Sequence, residues 1–255
     1  MTGQRALARH SLAVARRNLV QVKNDPGQLL AATLTPVLFT VVFLYVLGGA
    51  ISGGQAGYQQ YLMPGIMAQT VTVASIATGI GLNLDFGSGV MDRFRSLPIA
   101  RSAVLTGRIL ADACRLVLGQ LVVLGFALVI GFRVQTGVLP AVGAVLLMSL
   151  YGIALCWIAA YVGLRIRSMQ TVQTIGFLWL TPLQFASSIF APASTMPDWL
   201  RVFVEVNPTS LVTDTCRGLL IGGPVAGSAA GALLWIAAMI AVFAPLAVRE
   251  YRRRP

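Results

Sequence analysis

Six apolar runs, at residues 29–51, 60–84, 109–132, 138–163, 171–190 and 225–248, leave this chain few ways to fold. An α-helix rises about 1.5 Å per residue, so about 20 residues cross a hydrocarbon core about 30 Å thick, and each run is long enough. Lipid offers no water to backbone amides and carbonyls, so a crossing segment must satisfy itself as a helix or close into a barrel. The runs lack the apolar–polar alternation of barrel strands, which leaves helices. Composition agrees. With 56% hydrophobic and 11% charged residues, the chain cannot cover a water-facing surface, since soluble domains average about 25% charged. The expected fold is an all-α integral membrane protein with six transmembrane helices over 29–255, preceded by a cytoplasmic amphipathic helix over 1–28.

An even number of crossings places both termini on one side. Fifteen of the 19 Lys and Arg residues fall in segments on that side, against four acids, Asp25, Asp85, Asp92 and Glu250. The other face balances Arg133, Arg201 and Arg217 with Asp198, Glu205 and Asp214. Short basic loops stay in the cytoplasm, so both termini are assigned there. A single lysine, Lys23, among 18 arginines hints at a GC-rich bacterial genome, and hence a bacterial cytoplasmic membrane. The first apolar run is too long for a signal-peptide core and lacks a clean cleavage site, so it is kept as a span. Cys114, Cys156 and Cys216 form no CxxC pair, and His10 is the sole histidine, so neither a disulfide framework nor a metal site is indicated.

Between the spans lie four informative segments. Ala8, Leu12, Ala15, Leu19 and Val22 draw one apolar stripe along a helix, bordered by Arg5, Arg9, Arg16 and Lys23. Such a helix lies on the inner membrane surface with its bases at lipid headgroups, whether as an anchor alone or also as a contact for a cytoplasmic partner. The inner loop 85–108 gathers four arginines around Phe94 and Leu97-Pro98; it is either a docking knob or ordinary positive-inside chemistry. Asp112 and Arg115, three apart on the third span, share a helix face. They are read as a self-neutralising structural pair, with a proton relay as the alternative, because intramembrane ionisable groups are costly and no chain of acids follows Asp112. The outer segment 191–222 is too polar to span. A helix from Pro197-Asp198-Trp199 ends at Asn207-Pro208, and a second, capped by Thr209 or Ser210, is stopped by Gly222-Gly223. Asp214 and Arg217 lie on one face of that second helix. A re-entrant helical hairpin and two flat interfacial helices both satisfy this pattern. Gly223, Gly227 and Gly231 recur every fourth residue and would admit close helix approach at that end of the sixth span.

What the chain lacks also narrows its role. There is no G-x-x-x-x-G-K-[ST] phosphate loop, and no HExxH or GxSxG motif or cluster of catalytic side chains. Catalytic residues are therefore not assigned, and nucleic acid is not an expected partner, since positive-inside topology already accounts for the basic face. A six-span bundle with inner knobs and no engine fits the membrane half of a pump powered by another subunit.

Two stretches carry a family resemblance. NPTSLVTDTCRGLLIG, residues 207–222, resembles the C-terminal signature of ABC type-2 permeases, with its Asn-Pro leading into a short helix that ends in Arg-Gly; Asn207, Pro208, Asp214, Arg217 and Gly218 are its marked positions. DRFRSLPIARSAVLTGRILAD, residues 92–112, looks like that family's segment after its second span. The nearest branch is that of daunorubicin/doxorubicin-resistance permeases of actinobacteria, and the resemblance runs over the whole chain. It implies an exporter of amphipathic or hydrophobic compounds, drug-like or lipid-like, built from two permeases, identical or paralogous, and two separate ATPase subunits that hold ATP and Mg. It further implies that Arg16 and Arg17 of the N-terminal helix, with Arg93, Phe94, Arg95, Leu97 and Pro98, contact the ATPase. Thr209 and Ser210 depart from the apolar or aromatic residues that often follow the Asn-Pro. Phe177, Trp179 and Phe185 are the expected substrate-path residues, with plain packing as the alternative. A proton-coupled carrier using Asp112, or a scaffold without transport, stand as rival classes.

Overall fold

The computed structural model describes residues 34, 36–47, 55–87 and 101–253. The expected N-terminal helix, with Arg16 and Arg17, and the loop bearing Arg93, Phe94, Arg95, Leu97 and Pro98 lie outside the described residues. Among the described residues there are eight α-helices and no strands. They are α1 (Pro36–Val46), α2 (Gln55–Gly87), α3 (Arg101–Val129), α4 (Val138–Arg165), α5 (Met169–Phe185), α6 (Asp198–Val206), α7 (Pro208–Ile221) and α8 (Ala226–Arg253). A π-helical turn, Phe43–Leu47, closes α1, and a 3₁₀ turn, Ala193–Thr195, precedes α6.

Four of these helices are long and apolar enough to cross a membrane: Gly57–Gly87, Leu105–Val129, Val138–Arg165 and Ala226–Arg253. The protein is thus a multi-pass membrane protein. The run read at 171–190 corresponds to a helix of 17 residues, with Pro182 inside it and a non-helical stretch after Phe185. Seventeen residues rise about 26 Å, just short of a full hydrocarbon core. The described part of the first run, α1, is shorter still.

α2 is the most enclosed of the four long helices and α8 the least. α2 and α4 form the centre, and glycine is what lets them meet. A Cβ on Gly163 would overlap the Gly79 carbonyl, and one on Gly79 would stand 2.5 Å from the Ala159 carbonyl oxygen. Leu82 and Leu164 fill the core near that crossing, and Leu155 and Met148 continue it along α4. Hydroxyls on these helices bond their own backbone four residues back, as Thr72 does to Ala68 and Ser149 to Val145, so they enter the interior without orphan donors. Of the three spaced glycines, Gly231 makes the close approach, where a Cβ would meet Leu211 at 3.0 Å; Gly227 faces open space.

Side-chain bonds define two ends. At one end Asn83 of α2 donates to the carbonyls of Gly163 and Ile166, Arg165 pairs with Glu250, and Phe86 meets Tyr251 edge-on at 5.6 Å. At the other, Gln59 donates to Ile130 O, the Gln60 amide brackets the backbone of Arg133 at 3.1 and 3.0 Å, and Tyr58 donates to Phe190 O. α2, α4 and α8 therefore end together, and α5 starts beside the end of α2 and finishes beside its beginning.

Candidate functional site

The second helix of the 191–222 segment is where the marked family residues converge. α7 starts differently from the expected Thr209 or Ser210 cap. Asn207 is the cap, extended at φ −65° and ψ 125°, with its Oδ1 accepting from Thr209 N at 2.9 Å and Pro208 at the first helical position. Proline there has no amide to leave unpaired, so the residue before it takes the cap. Thr209 and Ser210 are instead fully buried: Thr209 Oγ1 shares a bond with Tyr151 OH at 2.7 Å, and Ser210 Oγ accepts from Ser188 N. Asn207 acts in the other direction too, donating from Nδ2 to Leu183 O at 2.9 Å and Ala186 O at 2.6 Å, the loose carbonyls at the end of α5. One side chain thus joins two helix ends. Gly222, at φ 89°, adopts a backbone that favours glycine and closes α7.

Arg217 completes this cluster. It pairs with Asp214, donates to the carbonyls of Tyr61 and Ser188, and lies 3.7 Å above the centre of the Tyr61 ring. Tyr61 OH donates to Ser188 O at 2.8 Å, and Ser188 Oγ donates to Asp214 at 2.8 Å. The 187–190 stretch after α5 is therefore held by α2 on one side and α7 on the other. Gly65 allows this, since a Cβ there would overlap the Ile189 carbonyl. The spacing of Asp214 and Arg217 is legible in sequence; Tyr61 and Ser188 are not, because their role depends on a contact 127 residues apart.

At the opposite end, Asp112 and Arg115 pair as expected, Nη2 to Oδ1 at 3.1 Å. The pair belongs to a larger set. Thr78 donates to Asp112 Oδ2 at 2.7 Å, Arg108 Nε stands 3.6 Å from the same oxygen, and Arg108 Nη1 donates to Asp85 at 2.8 Å. Arg115 also donates to Ala74 O at 3.1 Å. Two acids and two bases thus neutralise each other between α2 and α3. Thr78 Oγ1 lies 3.2 Å from Cys156 Sγ, which brings α4 into the same cluster. Asp85 and Arg108 read in sequence as loop charges. Arg108 did carry a signal, the four-residue step to Asp112 that puts those two on one face; Asp85 carried none.

The three expected path residues are not together. Phe177 and Phe185 lie on the exposed face of α5, whereas Trp179 turns inward beside Ile76, Val162 and Val172. The exposed face of α5 is chemically unusual. Gln170, Thr174, Phe177 and Thr181 follow one another along it, flanked by Gln173 and by the exposed Leu178, with Phe185 at its C-terminal end. The exposed faces of α3 and α8, by contrast, carry residues such as Leu118, Leu121, Val122, Leu234, Trp235 and Val242. Phe185 in turn meets Phe190 at 5.5 Å, and Phe190 stacks on Phe43 of α1 at 4.2 Å. Among the described residues no group of three His, Cys, Asp or Glu gathers that could hold a metal.

Comparison with known proteins places this architecture. The ABC-2 type transporter family model matches residues 10–221. A daunorubicin resistance ABC transporter permease of Streptomyces coeruleorubidus is 35% identical over 93% of this chain and 84% of its own length. A probable doxorubicin resistance ABC transporter permease of Mycobacterium tuberculosis is 29% identical over 98% of this chain and 90% of its own. A putative transport permease of Cyanophora paradoxa is 23% identical over 81% of this chain and 72% of its own. A membrane-spanning helical bundle with the Asn207, Asp214 and Arg217 cluster at one end, matched by that family model over most of its length, belongs to the ABC-2 type transporter family.

Proposed function

We propose that this chain is the permease of an ATP-driven exporter, paired with a second permease and with separate ATPase subunits, and that it moves an amphipathic or hydrophobic compound outward across a bacterial cytoplasmic membrane. In this reading all six runs cross, both termini are cytoplasmic, residues 1–28 lie along the inner surface, and α7 enters the membrane from outside as part of a re-entrant hairpin. The burial of Thr209, Thr213 and Thr215 within α7 supports that last point, since a helix resting on the surface would keep its threonines wet.

The observation that carries the proposal is the exposed α5 face. Amides and hydroxyls at membrane depth are unfavourable against acyl chains and belong beside a wet cavity or another protein. Interleaved with Phe177 and Phe185, they offer both stacking and hydrogen bonding to a flat amphipathic molecule held between two permeases. A proton-coupled carrier is less well supported, because Asp112 is engaged by two arginines and a threonine instead of facing an open path.

The test is daunorubicin uptake into inside-out vesicles from cells expressing the chain with and without a co-expressed ATP-binding-cassette ATPase. Uptake should require both proteins and ATP, persist when the proton gradient is dissipated, and fall at least about tenfold when Phe177→Ala and Phe185→Ala are combined. Uptake by the permease alone, driven by a pH gradient, would replace the exporter with the carrier.

A further inference from the structure

Arg108 occupies an unusual seat. Its guanidinium lies across α2 at Gly81, where a Cβ would overlap Nη2 and stand 2.8 Å from Cζ. From there the fork reaches Asp85 with Nη1 at 2.8 Å and faces Asp112 with Nε at 3.6 Å. The set continues through Arg115 to Ala74 O, so it starts and ends on α2 while passing through α3. It braces the two helices over the stretch from residue 74 to residue 85, about three turns.

We propose that Arg108, seated at Gly81 between Asp85 and Asp112, is a positioning residue that locks α2 to α3, so that the two helices move as one body when the exporter turns over. The inference rests on the exporter reading for its functional consequence. Its physical basis is independent: sliding α3 along α2 would draw the guanidinium away from Asp85 and break a part-buried ion pair whose side chains are 15% and 18% exposed, which is costlier than keeping the set intact. Arginine suits the seat because its planar fork serves two carboxylates at once, whereas an ammonium serves one point. The brace stands where α2 and α3 enter the connection between them. Force applied to that connection is therefore delivered to the pair instead of being lost in relative sliding.

The experiment uses the full permease with its ATPase in proteoliposomes. Spin labels at Leu84→Cys and Leu110→Cys, both exposed, in a Cys114→Ser background report the α2–α3 separation by electron paramagnetic resonance. That separation should be the same in nucleotide-free and ATP-bound complexes. Gly81→Ala keeps every charge but fills the seat; it should broaden the separation and lower daunorubicin moved per ATP hydrolysed at least about tenfold while hydrolysis continues. Adding Arg108→Lys to Gly81→Ala should restore much of both, because an ammonium can sit where Nη1 does, 3.2 Å from the added methyl. If Gly81→Ala does not assemble, Arg108→Gln, which adds no bulk, carries the same expectation for separation and coupling.

The proposal is overturned if the wild-type separation changes with nucleotide. It is also overturned if Gly81→Ala leaves separation and coupling unaltered, or lowers transport and hydrolysis in equal proportion. A wild-type complex that moves no daunorubicin would count against the exporter reading, while the separation measurement would still decide the brace.

Discussion

Asn207 shows how much one side chain can organise when both of its polar atoms are used. Its amide satisfies two carbonyls at the end of α5 and its oxygen satisfies the first amide of α7. Asn207→Ala strands three backbone groups, one buried and two part-buried. At about 1–3 kcal/mol for each group left unpaired, with relaxation recovering part, the loss should reach about 2–5 kcal/mol. Asn207→Asp should be at least as harmful, since it turns an oxygen toward carbonyls that had a donor. Thermal unfolding of the purified permease in detergent would measure both, and an alanine variant as stable as wild type would show that the bonds do not form. Asp112 presents the opposite case, a charge whose removal leaves neighbours exposed to each other. Asp112→Asn leaves Arg108 and Arg115 with Asp85 as the remaining acid of the set and should cost about 3–5 kcal/mol. In the folded fraction ATP hydrolysis should continue while uptake per ATP falls, as for Gly81→Ala, because Arg108 keeps only one of its two carboxylates; uptake driven by a pH gradient and lost in this variant would point to a chemical role. The pair itself was legible from three-residue spacing. Its extension to Asp85 was not, because a charge near a helix end looks the same in sequence whether it faces water or a neighbouring helix.

Among the elements, the long helices were read within a few residues because about 20 consecutive apolar residues admit few alternatives. α3 nonetheless begins at Arg101, two turns before the expected start of its run, since Arg108 and the residues around it are polar by composition yet helical by position. α5 fell short because its apolar run continues past Phe185 into a stretch that is buried without being helical, held by tyrosines from α2. Hydropathy registers the burial there and not the shape. α6 offers a sharper test. Trp199, Val202, Phe203 and Val206 share one exposed face, Trp199 with 76% of its surface open, while Asp198, Arg201 and Glu205 pair among themselves. That face suits a membrane headgroup zone, where an indole keeps its ring in the acyl boundary and its N–H wet. With Trp157, Trp179 and Trp235 replaced by Phe, Trp199 emission in reconstituted permease should be quenched more by lipids brominated near the carbonyl than by those brominated near the chain end. Stronger quenching by the deep label would put α6 inside the core, and none from either would lift it into water.

For the molecule as a whole, the proposed orientation rests on how the two ends treat their charges. At the end bearing α6 and α7, arginines are matched locally: Arg201 with Asp198 and Glu205, and Arg217 with Asp214. At the opposite end Arg167, Arg249, Arg252 and Arg253 are exposed together, and the exposed pair there is Arg165 with Glu250. Paired charges present little net field to an inserting chain, whereas an excess of arginine beside a span resists translocation and fixes that end in the cytoplasm. The helix alternation ties these local imbalances into one statement, because side-chain bonds fix which helix ends lie together. A single cysteine at either end therefore reports on the entire bundle. In a Cys114→Ser background, Asp198→Cys should react with a membrane-impermeant maleimide on intact spheroplasts. Arg165→Cys should react only after the membrane is opened. The substitutions are mild, since both positions are exposed and each removes one partner of a surface pair worth about 0–1 kcal/mol. Labelling of Arg165→Cys from outside would invert the bundle and place any ATPase-docking loop on the wrong face of the membrane, which no choice of partner could reconcile with export.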